Sequence, residues 1–292
     1  MIIINFNTMK KYFIIALLSI TTISFTACSD GSDSVGESQI DTSTPILNDL
    51  DDWLRSNFVS PYNIEVLYKW DINDTDIDRI LHPPLESSVK PVAEALQKAW
   101  IEPYTTLGGA DFIKKIAPRQ FTLVGGFNFN PNSPTITLGI AEAGTKITLF
   151  NIDFLDFTDI NSIKQPLKTV QHEYGHILNQ NIPIDIAYGQ INPENYNSNW
   201  FNRSDAEARE LGYITAYASS QEGEDFVEMV SEMLTNSKED FDAIVSSIVS
   251  AEARAIIRLK EAMVVEYYQT NFGIDIYELQ ALTDAATQEL VN

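Results

Sequence analysis

The 292-residue chain is 44% hydrophobic and 21% charged, which is enough apolar content to bury a core and too much for a disordered chain. Its 19 Lys and Arg against 41 Asp and Glu give a net charge of -22. So few cations cannot form the basic stripe of a phosphate-tracking nucleic-acid binder, and no nucleic-acid partner is expected. A single cysteine, Cys28, excludes an intramolecular disulfide, a multi-cysteine zinc finger and a CxxC redox site.

In chain order, Lys10 and Lys11 precede the apolar run from Tyr12 to Phe25, and the small residues Thr26 and Ala27 follow. This is the basic, apolar, small-residue order of a secretory signal, and the run is short for a bilayer span. Phe25-Thr26-Ala27-Cys28 resembles the lipobox of bacterial lipoproteins, in which the cysteine becomes the acylated first residue. Residues 1–27 are expected to be a lipoprotein signal peptide, 28–45 a flexible polar tether and 46–292 the folded domain. Removing the signal takes away two lysines and no acids, leaving 17 basic residues against 41 acidic ones and a charge of -24, held at a membrane by the acyl chains on Cys28 alone. The acidic residues just after Cys28 resemble the signal that sends some gram-negative lipoproteins to the outer face of the outer membrane.

Ile46, Leu47, Leu50, Trp53, Leu54 and Phe58 share one helical face over 45–58, and 62–70 then turns β-branched and aromatic, as a short strand does. A second helix is expected over 89–104 and a short third over 110–116. The apolar runs 120–124, 135–140 and 146–150 are separated by turn clusters and read as a small antiparallel meander with 146–150 at its edge. From Asn161 onward the pattern is helical. Three later stripes read as core: Ile244, Val245, Ile248 and Val249; Ile256, Ile257, Leu259 and Met263; and Tyr277, Leu279 and Leu282. The expected class is α+β, a small sheet followed by an active-site helix and a helical C-terminal half.

The chemistry lies in QHEYGHILNQ, 171–180. His172, Glu173 and His176 form HExxH in a helix whose buried stripe is Leu167, Val170, Tyr174, Ile177 and Leu178, with Pro166 placed for its first turn. Residues four apart lie about 5–6 Å from one another on a helix face, so two imidazoles can take adjacent corners of a zinc tetrahedron. Glu173 lies beside them as the base.

A catalytic zinc site has three protein ligands, and the HExxHxxGxxH continuation is absent. His82, far upstream in LHPPLE, reads as a solvated loop residue. A carboxylate from a later helix remains, and 222–234 (EGEDFVEMVSEML) is amphipathic with Phe226, Val230 and Met233 inward. Glu224 and Glu228 share one face, and periodicity does not separate them. Glu222, Asp225 and Glu232 read as solvated. Glu207 and Glu210 in the preceding segment are the next candidates. The stretch 183–201, with Trp200, fits a cleft lining and a plain covering loop equally well. DINDTDID, 71–78, lacks the glycine and glutamate of a calcium loop and reads as a solvated acidic turn.

HEYGH followed by GYITAYASSQEGEDFVEM resembles the gluzincin branch of the zincin superfamily, in particular lethal-factor-type metallopeptidases. There a Tyr seven residues before the first Glu of an ExFxE segment lies near the zinc and that Glu ligates it. The resemblance makes Glu224 the third ligand, with Asp225 and Val227 as departures from the segment, and puts Tyr217 near the metal. On that basis Tyr217 would donate to the oxyanion, and Glu228, one turn on, would accept the free ring N–H of a ligand histidine. The lipoprotein signal, the DxWLxxNFxxPYNIEVxYKW opening, LVGG, HExxH and EDFxE together resemble the substrate import-associated zinc metallohydrolase lipoproteins of gram-negative bacteria, over roughly residues 46–234. That resemblance implies a zinc-dependent peptidase at the outer membrane beside nutrient-import receptor proteins. The substrate would be a peptide or another amide, and a glycan amidase or deacetylase fits the same residues. The contrasting reading is a non-catalytic zinc-binding accessory lipoprotein, which would need the imidazoles and not Glu173.

Overall fold

A computed structural model describes residues 46–69, 78–142 and 144–291. The signal peptide, Cys28, the tether and nearly all of the acidic turn at 71–78 lie outside the described residues. No helix among those described is long and apolar enough to cross a membrane.

The chain from 47 to 292 gathers into one unit. Helix α1 (Asp49–Leu54) is capped reciprocally by Asn48 and Asp51 and runs on through a wider π turn at Arg55–Val59. Helix α2 (Glu86–Leu96) passes through a similar turn at Gln97–Ile101 into α3 (Glu102–Gly108), and α4 (Phe112–Ile116) follows. These helices bury Phe58, Val92, Leu96, Trp100, Tyr104 and Ile113 against a four-stranded sheet.

The sheet order is β1 (Glu65–Leu67), β2 (Gln120–Leu123), β6 (Lys146–Leu149), β5 (Gly139–Glu142). The α+β class holds, but the antiparallel meander does not: β1, β2 and β6 are mutually parallel and only β5 runs against its neighbour. The strand expected at the edge, 146–150, is therefore internal, with Ile147 and Leu149 buried, and β5 is the edge strand beyond it, with β1 at the opposite edge. A separate two-stranded ribbon, β3 (Asn128–Phe129) with β4 (Ile136–Thr137), leads into β5. Strands buried on both faces by flanking helices favour parallel pairing, which sequence alternation alone does not reveal.

Helix α5 (Ile160–Asn181) starts at an Asp159 cap, well before the expected first turn, so Pro166 sits inside it and lacks an N–H for the preceding turn. Helix α7 (Glu222–Thr235) crosses α5, and α8 (Lys238–Ser246), α9 (Ala251–Phe272) and α10 (Ile276–Val291) complete the helical half. Gly175 makes the α5–α7 crossing close: a Cβ there would lie 3.0 Å from Val227 Cγ1. Gly139 likewise lets β5 lie against Thr169 of α5. Of the expected C-terminal stripes, Val245, Ile248, Ile257 and Leu279 are buried, whereas Val249, Leu259 and Leu282 face solvent.

Candidate metal centre

The α5–α7 crossing brings together His172, His176 and Glu224, whose ligand atoms lie within 4.8 Å of one another. Glu224 Oε2 is 3.1 Å from His172 Nε2 and 3.3 Å from His176 Nε2. It has no hydrogen bond of acceptable geometry although it is buried. Three lone-pair atoms converging on one point, one of them otherwise orphaned in the interior, suit a tetrahedral cation with one position left open.

Glu228 lies on the other side of His172, where its Oε1 accepts from Nδ1 at 2.7 Å, which turns Nε2 toward Glu224 and His176. Its other oxygen accepts from Thr215 Oγ1 at 2.6 Å and faces Lys168 Nζ at 3.4 Å. Lys168 also pairs with Glu232. Burial alone would raise the Glu228 pKa, but Lys168 and His172 outweigh it and hold the carboxyl well below the usual range. Burial also works against a charged His172, yet Glu224 and Glu228 overcome it and push the ring up to about 10 in the protein alone. A metal ion at Nε2 needs the ring's lone pair there and so competes with a proton for that atom.

Glu173 is nine-tenths buried beside the group, and this burial raises its pKa against the pull of the two imidazoles. Its side chain lies against β5, where a Cβ on Gly139 would come within 3.5 Å of Glu173 Cγ, so it stands between the histidines and the sheet edge. The Tyr217 ring stacks on His172 at 5.6 Å between centroids and 18° between planes, and Trp200 meets it at 4.8 Å with the rings tilted by 52°. Burial, then the neighbouring Glu224, pushes the phenol pKa up, so Tyr217 remains a proton donor. A cavity of about 370 Å³ opens here, lined by Leu138, Gly139, Lys168, Glu173, Trp200 and Tyr217 among others.

The other candidates are committed elsewhere. His82 packs over Gly125 and Gly126, and its Nδ1 lies 3.8 Å from Asp153. Glu207 closes the capping box of α6 (Asp205–Arg209), and Glu210 accepts from the backbone of Val249 and Ser250 before α9. Asp225 and Glu232, expected in solvent, are buried, because α7 is covered on nearly all sides from Glu224 to Thr235. Asp225 pairs with Lys260 of α9 at 2.5 Å, both side chains 0% exposed, and it accepts from Tyr196 at 3.0 Å. The 183–201 stretch thus does two things, since Trp200 lines the cavity while Tyr188 and Tyr196 hold Asp225. Sequence reasoning missed Lys168 and Thr215. Lys168 lies one turn before His172 on the same face, and that spacing was the available signal.

A family model described as "Putative zinc-binding metallo-peptidase" matches residues 44–277. A crystal structure of a protein from Bacteroides caccae ATCC 43185, described in the same words, is similar at 30% identity with a TM-score of 0.70, over 82% of this chain and 92% of that one. No curated protein matches.

Proposed function

The chain belongs to this zinc-binding metallo-peptidase family, and from its site we propose that it is a zinc-dependent hydrolase of peptide bonds, with His172, His176 and Glu224 as the metal ligands. The observation that carries the reading is the place of Glu173, a buried carboxyl between the ligand group and the edge strand β5. A purely structural metal site has no use for a base there. Bound zinc would supply a Lewis acid that polarises water and the scissile carbonyl. Glu173, its pKa raised by burial, takes the proton of the attacking water and passes it to the leaving nitrogen. Tyr217, stacked on His172, is placed to donate to the developing oxyanion. An extended substrate would add to the sheet along β5, in place of the 146–150 edge expected from sequence. A peptide-library screen on the purified chain should show cleavage that stops on chelation and returns with zinc. No cleavage of any peptide by the zinc-loaded chain would overturn the reading.

The ligand roles have their own test. Chelator competition should show Glu224→Ala losing far more zinc affinity than the roughly 10 to 100-fold expected for Glu228→Ala, which removes only the partner of His172 Nδ1. The reverse order would exchange the two roles.

The same reading places the protein on the outer membrane through acylated Cys28, beside import receptor proteins. Its support is the lone cysteine after a small-residue site and the acidic residues that follow. Clickable fatty-acid labelling of cells should tag the native chain and not Cys28→Ala, and equal labelling would remove the anchor.

A further inference from the structure

Phe129 and Ile136 stand directly opposite each other in the β3–β4 ribbon, and residues two apart on a strand share a face. Phe127, just before β3, and Leu138, just after β4, continue this face beyond the same end of the ribbon. Phe127 meets Phe129 at 5.7 Å and Phe154 at 4.9 Å between ring centroids. Phe129 is 63% exposed, Phe154 60%, Ile136 40% and Leu138 37%. These five side chains form an open apolar strip whose last member, Leu138, lines the cavity beside Glu173. Singly exposed apolar residues are ordinary, but a contiguous group running into a cleft is not.

We propose that this strip is a second binding surface for the polypeptide held in the cleft, taking its aromatic or aliphatic side chains away from the bond that is cut. The proposal rests on the peptidase reading and adds a preference to it. Continuity with the cleft selects this occupant, because a chain lying along β5 reaches Ile136 and Phe129 simply by continuing past Leu138. At about 3.3 Å per residue and about 5 Å between strands, Ile136 and Phe129 lie roughly two to four residues beyond Leu138 at the cleft. Charge argues against a bilayer: the strip itself carries no cation, Arg79 beside it is spent on the Phe129 carbonyl and Asn130, and the chain's net charge is -22, which repels anionic lipid.

The test uses zinc-loaded Glu173→Gln chain to select phage-displayed random dodecapeptides in mild detergent, with and without Phe129→Ser and Phe154→Ser. Both phenylalanines are largely exposed, so the pair should leave the fold intact, and Phe129→Ser alone serves as the milder variant. The expected result is enrichment of apolar residues at a fixed spacing from the rest of the consensus, falling at least about tenfold with the double substitution and part-way with Phe129→Ser. Equal enrichment in parent and variant, or apolar enrichment at no fixed spacing, overturns the proposal. So does parent chain that sediments as a dimer and becomes monomeric on substitution, or that floats with phosphatidylcholine vesicles only while the phenylalanines are present. The selected peptides are then offered to native chain. If the strip-dependent enrichment holds but none is cleaved, the strip stands and the hydrolase reading falls.

Discussion

Glu173→Gln is expected to lower peptide hydrolysis by roughly two to four orders of magnitude, the usual contribution of a positioned general base, while zinc content stays unchanged. The amide keeps the shape of the carboxyl and its contact with β5 but cannot take the proton of the attacking water. His172, His176 and Glu224 converge without any help from Glu173, so the metal should remain. Stability gives a second readout, and its sign follows from the raised pKa. A carboxyl whose folded pKa lies above its unfolded value contributes stability below the unfolded value and loses it as pH rises through the folded one. Burial is the leading cause of that raise, so a neutral Gln should make the protein at least as stable at pH 7 and remove the loss of stability that the native carboxyl brings as pH rises above the ordinary Glu value of about 4.3. A variant that keeps its rate, or one that loses zinc along with activity, would remove Glu173 from the role of base.

Much of the site was readable because it is written in local spacing. Two imidazoles four residues apart on an amphipathic helix can face one metal, and Glu224 and Glu228 on a later helix face are one turn apart, so both pairs follow from the 3.6-residue period. What periodicity could not supply was the sign of contacts between distant segments. Strand 146–149 looked like an edge because hairpin-length turns surround it, yet it pairs in parallel with 120–123, a choice made by helices packing on both faces. Asp225 and Glu232 looked solvated because a charged residue on an amphipathic helix usually is. Their partners, Lys260 and Lys168, lie 35 and 64 residues away in the chain, and nothing local marks either as a counter-charge. Spacing alone left Glu224 and Glu228 equivalent and the family resemblance favoured Glu224, the carboxylate whose Oε2 the α5–α7 crossing brings near both Nε2 atoms.

Lys260→Met should cost about 3–5 kcal/mol of stability, the typical penalty for stripping one partner from a buried ion pair. Lys260 Nζ reaches Asp225 at 2.5 Å and the Gly212 carbonyl at 3.0 Å, and it sits 4.2 Å over the Tyr213 ring. Methionine fills similar space but leaves Asp225 in the interior without a counter-charge, its remaining partner being the neutral Tyr196 hydroxyl. Burial already pushes the Asp225 pKa up to about 6 against the pull of Lys260, so without that lysine it rises further. By the same linkage sign, a raised folded pKa preserves stability below about pH 4 and loses it as pH rises through the folded value. The deficit of Lys260→Met should accordingly be small near pH 4 and grow through pH 6 and above, in urea unfolding with chelator present throughout so that zinc linkage is held fixed. Lys260→Met with Asp225→Leu should regain most of the loss, because an apolar pair of similar volume leaves no charge stranded. A deficit that is absent, or constant with pH, would mean the pair is incidental. Asp225 is also the residue after Glu224, in the first turn of α7. The pair fixes that turn against α9, so Lys260→Met should weaken zinc binding although Lys260 touches none of the three ligands, and the double substitution should restore affinity in step with stability.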